Sequence, residues 1–386
     1  MRAPPASAVL AAALLATACT PSAGAGAPAD QRARTSTPAA SSPTRATGTA
    51  TTTRAASPSV TAATPAADPR TLTLAFGGDV HFEDYLRPVA RDPHGLDELR
   101  GTLGAADLSM VNLETAITER GAPIGKEFHF RAPASALDTL ASAGVDAVSM
   151  ANNHGADFGA QGLRDTLAAR RASPLPVVGI GADEDEAFAP ATLEAKGLRV
   201  AVLGASQVFE MTLANWSADA DSPGIASASP LGRLRTAVQR AASTHDLVVV
   251  YLHWGLDYQA CPDSLSTQTA QALEAAGADV IVGGHSHRVN AAGWLGRSYV
   301  AYGLGNFVWW RSREPDSRTG VLTLEVDVES ARGTRRSARS AVTGATWTPM
   351  LIGTDGIPRV PSASDGRRLH RLWEQSRSCS GLDARP

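Results

Sequence analysis

Apolar runs broken at intervals by glycine and polar residues organise the chain from Thr71 onward. Thr71-Leu72-Thr73-Leu74-Ala75-Phe76 predicts a strand that ends in Gly77-Gly78-Asp79-Val80-His81. Ala105 to Val111 predicts a second, ending in Asn112-Leu113-Glu114, and Val145 to Met150 a third, ending in Ala151-Asn152-Asn153-His154. Further apolar strands are expected at Pro176 to Ile180, Leu198 to Ala205 and Asp246 to Leu252, the last leading into His253-Trp254-Gly255. Ala278 to Val282 is another, and the Gly283-Gly284-His285-Ser286-His287 stretch after it reads as a glycine-permitted turn carrying two imidazoles. Ser298 to Gly303 and Gly320 to Val328 are the last strands expected. Helical segments are expected at Pro133 to Ala143, Gly159 to Ala172, Leu231 to Ala242 and Ser264 to Ala276. Strands alternating with helices over this length predict an α/β domain whose helices cover its sheets.

The pattern is missing upstream. Thr20 to Arg70 is mostly Ala, Thr, Ser and Pro, and Val60 is its only aliphatic residue larger than alanine, so the segment cannot bury a core. It is expected to be disordered, either as a tether (residues 20–70) or as a low-complexity tail without a role. Residues 71–380 are expected to form one domain and residues 381–386 a short tail. Residues 1–19 read as an export signal: Arg2 supplies a sparse positive start, and Ala8 to Ala18 is apolar but too short to span a membrane. Leu15-Ala16-Thr17-Ala18-Cys19 resembles a lipobox, with Ala16 where that pattern favours Leu. Lipidation at Cys19 would anchor the protein outside the cytoplasm on the cell membrane; without it the chain is simply secreted.

Composition narrows the partners. The chain has 386 residues, 43% of them hydrophobic, and a net charge of -3. With no long basic block, nothing argues for nucleic acid, and any anion recognition must be local. Setting Cys19 aside, Cys261 and Cys379 form an even pair in an oxidising compartment, and the sequence leaves open a bridge or two buried thiols.

Five of the expected strands end in metal-ligand types: Asp79 and His81, Glu114, Asn153 and His154, His253, then His285 and His287. One such ending is ordinary turn chemistry. Together, at strand carboxyl ends where α/β folds place their ligands, they point to a binuclear divalent site of N and O donors.

The motifs Gly78-Asp79-Val80, Asn112-Leu113-Glu114, Ala151-Asn152-Asn153-His154 with Asp157 and Gly159, His253-Trp254-Gly255, Gly284-His285-Ser286-His287 and Gly305-Asn306-Phe307 occur in this order. Between Leu74 and Trp309 the chain thus resembles the bacterial CapA family of poly-γ-glutamate capsule proteins, in the calcineurin-like metallophosphatase superfamily. The resemblance implies a two-sheet sandwich flanked by helices, a four-layer αββα fold, with a metal centre at the sheet edge. It implies Asp79, His81 and His287 on one metal, Asn153, His253 and His285 on the other, and Glu114 as the bridge. It implies too that His154 contacts substrate or protonates the leaving group. Glu114 stands where ordinary metallophosphatases carry Asp, and Ser286 where CapA proteins commonly have Pro.

Two divalent ions about 3.5–4 Å apart acidify a bound water and polarise an electrophile, chemistry suited to a phosphoester or an amide. Mn, Fe and Zn all suit these donors. Several residues keep two readings: Asp157 orients His154 or caps the following helix, Arg131 clamps an anion or makes a surface ion pair, and Asn306 lines the site or forms a turn. Trp254 and Tyr258 border the cleft or lie in the core. The functional expectation is an exported, lipid-anchored hydrolase-type protein acting in poly-γ-glutamate or related envelope-polymer synthesis, export or attachment. Its partners would be the anionic polymer, or a small phosphoester or amide, and synthesis-complex proteins at the membrane. A general extracytoplasmic phosphoesterase or nucleotidase, and a non-catalytic polymer-binding subunit, are the alternatives.

Overall fold

The computed structural model describes residues 68–333 and 339–386. The leader, Cys19 and all of the expected tether before Asp68 lie outside the described residues. In the first sheet, β1 (Thr71–Val80), β2 (Leu108–Leu113), β3 (Ala147–Ser149) and β4 (Val177–Val178) run parallel, each beside the next. The chain then builds a second sheet from β5 (Ala191–Ala195), β6 (Leu198–Ser206), β7 (Leu247–Trp254), β8 (Val280–His285), β9 (Ala292–Leu295) and β10 (Ser298–Ala301). It returns to the first sheet with β11 (Asn306–Val308), β12 (Arg318–Asp327), β13 (Val342–Ile352) and β14 (Pro358–Arg359). The orders are β14-β13-β12-β1-β2-β3-β4, with β11 on the end of β1, and β9-β10-β8-β7-β6-β5.

Strand periodicity explains the layers. In β1, Leu72, Leu74 and Phe76 face the second sheet, where Val200 and Val202 of β6, Val249 and Tyr251 of β7 and Val280 and Val282 of β8 meet them. The alternate residues face outward and are covered as well. Ala75, Val111 and Val148 lie under Leu137 and Leu140 of α1 (Ser135–Ser142) and Leu163 and Leu167 of α2 (Gly159–Ala172). Leu203, Val248, Val250 and Ile281 lie under Leu234 and Val238 of α3 (Gly232–Thr244) and Leu273 of α4 (Ser264–Ala276). Both faces of each central strand are buried, which is why these strands read as continuous apolar runs. The architecture is the expected helix-covered two-sheet sandwich, and all described residues fall in one compact unit, Pro65–Pro386.

Three local expectations are corrected. β8 continues through Gly283 and Gly284 to His285, paired with β7 at His253↔Gly284 and Trp254↔His285, so these glycines do not form the turn. They permit close approach: a Cβ on Gly283 would lie 2.2 Å from the Trp254 indole nitrogen, and one on Gly284 2.3 Å from Asp79 Oδ1. The turn falls on the histidines themselves, with φ of 89° at His285 and 52° at His287. Next, the chain beyond Val328 holds β13 and α5 (Ala363–Ser376), neither evident from pattern. Gly344 and Pro349 interrupt β13, and the arginines of α5 obscure the Leu369 and Trp373 pair that it buries one turn apart. Lastly, of the two readings kept open for Asn306 the turn is not met: it opens strand β11 and lines the cleft.

Candidate metal centre

Parallel pairing points the carboxyl ends of β1, β2, β3, β7, β8 and β11 toward one edge of the sandwich. Register brings specific residues level there: Asp79 pairs with Asn112 and with Asn306, and Trp254 with His285. Asp79 joins the sheets, accepting from Asn112 Nδ2 at 2.8 Å on one oxygen and from the His285 backbone N–H at 3.0 Å on the other.

Glu114 lies just beyond β2, fully buried, and neither carboxylate oxygen has a hydrogen-bond partner among the described residues. Its Oε1 is 3.5 Å from His253 Nε2 and 3.7 Å from His154 Nε2, and Asp79 Oδ2 is 3.6 Å from His287 Nδ1. All three are long for hydrogen bonds, and the Glu114–His253 separation suits two ligands gathered around a shared cation. Asp79, Glu114 and His287 form one set of mutually close donor atoms, and Glu114, His253 and His285 another, each within 4.8 Å. Glu114 belongs to both. Asn153 joins the second set through Oδ1, 2.8 Å from His253 Nε2. His81 is in neither set, although its Nε2 is buried without a partner while its Nδ1 accepts from Glu83 N–H.

The electrostatics call for positive charge. Burial raises the Asp79 carboxyl to about 7 against the Asn112 and His285 hydrogen bonds, and burial followed by the Asp79 charge pushes Glu114 well above the carboxylate range. Burial, with repulsion from neighbouring cations, drives His81, His154, His253 and His287 well below the usual imidazole range. Neutral imidazoles around two buried carboxylates, one of them without a hydrogen-bond partner among the described residues, are a donor set that divalent cations fit.

His154 Nδ1 donates to Asp157 Oδ2 at 2.6 Å, and its ring stacks on Phe130 at 4.0 Å. Asp157 orients this histidine and does not cap α2, whose N-terminus has no side-chain cap. The other Asp157 oxygen meets Lys126 Nζ at 2.7 Å, and Lys126 also donates to the Asn153 carbonyl at 2.5 Å. Asn306 donates from Nδ2 to the Asp316 carbonyl, which turns its Oδ1 toward His287 Nδ1–H at 2.8 Å. That hydrogen bond leaves the His287 lone pair on Nε2. Arg131 is not brought to the cleft: its guanidinium lies 3.4 Å over the Phe158 ring, attracted by the aromatic face. Trp254 is core, whereas Tyr258 reaches the cleft.

The cleft above these groups holds about 250 Å³ and is lined by Lys126, Glu210, Asp257, Tyr258, Trp309 and Arg311 among others. Sequence reasoning missed Lys126 and Asp257. Lys126 belongs to no strand end, and the one signal for Asp257 is its place on the loop that His253 opens. Asn112 and Asn152 lay within quoted motifs without a role; Asn152 donates to Asn112 and to the Leu113 carbonyl, fixing the floor of the site.

Residues 73–309 match the family described as bacterial capsule synthesis protein PGA_cap. Among curated proteins, the chain is 29% identical over 254 residues to the PGA biosynthesis protein CapA of Bacillus subtilis, covering 63% of this chain and 66% of that one. It is 33% identical over 232 residues to the capsule biosynthesis protein CapA of Bacillus anthracis, covering 56% of each. The match therefore spans less than two thirds of either relative's length. Among solved structures, the 5'-nucleotidase of Candida albicans aligns over 80% of this chain and 58% of its own, with 11% identity and a TM-score of 0.41.

Proposed function

From the premise that the chain belongs to the bacterial capsule synthesis protein family, we propose that it acts in the synthesis, export or attachment of poly-γ-glutamate or a related anionic envelope polymer, by metal-dependent hydrolysis. The observation that carries the hydrolytic part is Glu114, buried, lacking hydrogen-bond partners and shared by two donor sets that draw on both sheets. Asp79, Glu114 and His287 would hold one divalent ion and Glu114, His253, His285 and Asn153 the other; His81 would join the first only with its Nδ1–Glu83 hydrogen bond given up, since an accepting Nδ1 keeps the ring proton on Nε2. Bound there, the ions would supply an acidified water and a polarised carbonyl or phosphoryl group.

The remaining work belongs to the chain. Asp157 accepts from His154 Nδ1–H, which leaves the lone pair on Nε2; that nitrogen would take up a proton and pass it to a leaving group at the centre, with the Asp157 carboxylate stabilising the imidazolium formed in between. Burial raises the Asp157 carboxyl to about 6, and Lys126 at 2.7 Å opposes that rise and adds a cation beside an anionic substrate. Trp309, Trp310 and Phe130 pack around His81 and keep water from that side. Export and lipidation at Cys19 complete the reading and place the protein on the outer membrane face; loss of membrane-fraction protein in Cys19→Ser tests that part.

The test of hydrolysis uses metal-replete protein with poly-γ-glutamate, nitrophenyl phosphate and nucleotides as substrates, beside elemental analysis. Chain shortening lost in His154→Ala, with metal retained, is expected. Turnover of the small phosphoesters alone would replace this reading with a general phosphoesterase, and polymer binding without turnover would replace it with an assembly subunit.

A further inference from the structure

Asp257 stands apart from the other acids of the centre. It lies on the loop after β7, its side chain is 59% exposed where that of Glu114 is fully buried, and its Oδ1 is 3.7 Å from His285 Nε2. With His285 and His287 it makes a third set of donor atoms within 4.8 Å. It is too distant to be hydrogen-bonded to His285, yet it is held in place.

The loop is clamped on three sides. The Tyr258 backbone N–H donates to the Ser286 carbonyl at 2.8 Å, which ties it directly to the residue between the two histidines. The Tyr258 ring lies under the Arg288 guanidinium at 4.8 Å and beside that of Arg311 at 5.9 Å, and both arginines are anchored on Asp316. Further along, Cys261 is bonded to Cys379. Tyr258, His285 and His287 all adopt positive φ (62°, 89° and 52°), a backbone cost that the surrounding contacts sustain.

We propose that Asp257 is an additional, displaceable ligand of the metal centre, a solvent-facing carboxylate that covers the His285–His287 side until an anionic group takes its place. The inference rests on the metal-centre reading above. Of the carboxylates in the donor sets or lining the cleft, Asp79 and Glu114 are sealed in the floor, and Glu127 and Glu210, the latter facing Lys126 at 3.5 Å, belong to no donor set among the described residues. Among the described residues of these sets, Asp257 alone combines ligand spacing with access to solvent. An exposed carboxylate is exchanged at lower cost than a buried one, since water solvates it once released.

The experiment measures Mn²⁺ affinity and stoichiometry of the full chain by calorimetry, the visible spectrum of the Co²⁺-loaded protein, and the Kd of inorganic phosphate at saturating Mn²⁺. Wild type, Asp257→Asn, Asp257→Glu and Glu210→Gln are compared. Asp257→Asn is expected to weaken the looser metal equivalent about tenfold or more, as loss of a supporting ligand does. It should also alter the Co²⁺ spectrum and tighten phosphate several-fold, while Asp257→Glu restores part of each change. Equal changes in Glu210→Gln would reduce Asp257 to a source of charge and overturn the proposal, as would an unchanged spectrum or an unchanged or weaker phosphate affinity in Asp257→Asn. Wild-type protein that takes up no divalent metal would sink the metal-centre reading itself and this inference with it.

Discussion

A carboxylate buried without a hydrogen bond, as Glu114 is, would be strongly destabilising unless a cation compensates it. Its membership of both buried donor sets gives a sharp expectation for metal content. Elemental analysis should find both equivalents depleted in Glu114→Gln, whereas His253→Ala and Asp79→Asn each lose mainly one; equal losses in all three would contradict a shared ligand. Gly284 gives a second test, because a Cβ there would meet Asp79 Oδ1 at 2.3 Å. Gly284→Ala should therefore lower metal affinity at least tenfold while leaving a folded protein, read by calorimetry beside circular dichroism. Asp79, Glu114, Asn153, His154, His253, His285 and His287 were legible in the sequence because each follows an apolar run whose end fixes its position. Lys126 and Asp257 were not, since long-range packing of loops, and no local pattern, brings them to the cleft. Arg131 failed for a related reason: its neighbour Phe130 does reach the site, but the next side chain points the other way along an extended segment and finds Phe158.

At the level of elements, the C-terminal part of the chain is held by ties that the sequence left open. Cys379, just after α5, is bonded to Cys261 with a Cα–Cα distance of 5.8 Å across a sequence separation of 118. In the chain-entropy account a loop of that length stabilises by about 4–5 kcal/mol, and natural bridges deliver roughly 2–5 kcal/mol. Reduction, or Cys261→Ser with Cys379→Ser, should lower the melting temperature by several degrees, checked by scanning calorimetry with and without reductant. The second tie is Glu314, which accepts from Arg368 of α5 and from Arg318 at the start of β12. Those hydrogen bonds, from Arg368 first, hold its carboxyl down at about 2. A lowered carboxyl stabilises fully above its ordinary value of 4.5 and loses that contribution as pH falls through about 2. Glu314→Gln should thus lower stability at pH 7 by about 0.5–1 kcal/mol, allowing for screening at this partly exposed site, and the difference from wild type should close as denaturation is measured toward pH 2. The extents of α2 and α4 match the sequence expectation residue for residue, because apolar spacing and clear breaks bound them. α5 was missed because its stability comes from burying Leu369 and Trp373 and from these arginine contacts, which a local window does not register.

In the molecule as a whole, the division of strands between two sheets was not legible from pattern. Runs buried on both faces look alike whichever sheet they enter, and the excursion from β4 to β5 and back at β11 leaves no local mark. The consequence is that the metal-binding edge is also a seam. Asp79 and Glu114 come from the first sheet, His253, His285 and His287 from strands and turns of the second, and the direct ties there run mostly through the site residues themselves: His285 N–H to Asp79, Asn112 and Asn153 to His253, His287 to Asn306 and, deeper, Tyr251 hydroxyl to the Gly77 carbonyl. A cation bound by both sides adds its binding free energy to the folded state only, about 4 kcal/mol at a concentration 1,000 times Kd. Chelation should then lower the melting temperature by roughly 6 °C for a domain of this size. The same substitution that abolishes metal binding should act in the opposite direction on the metal-free protein. Glu114→Gln keeps the shape of the side chain while removing a buried charge, so apo Glu114→Gln is expected to melt above apo wild type and to show no response to Mn²⁺. Calorimetry of both proteins with and without chelator separates the two effects. An apo variant less stable than apo wild type would mean that Glu114 is compensated within the protein fabric, and a retained Mn²⁺ response would mean that the seam is closed by other residues.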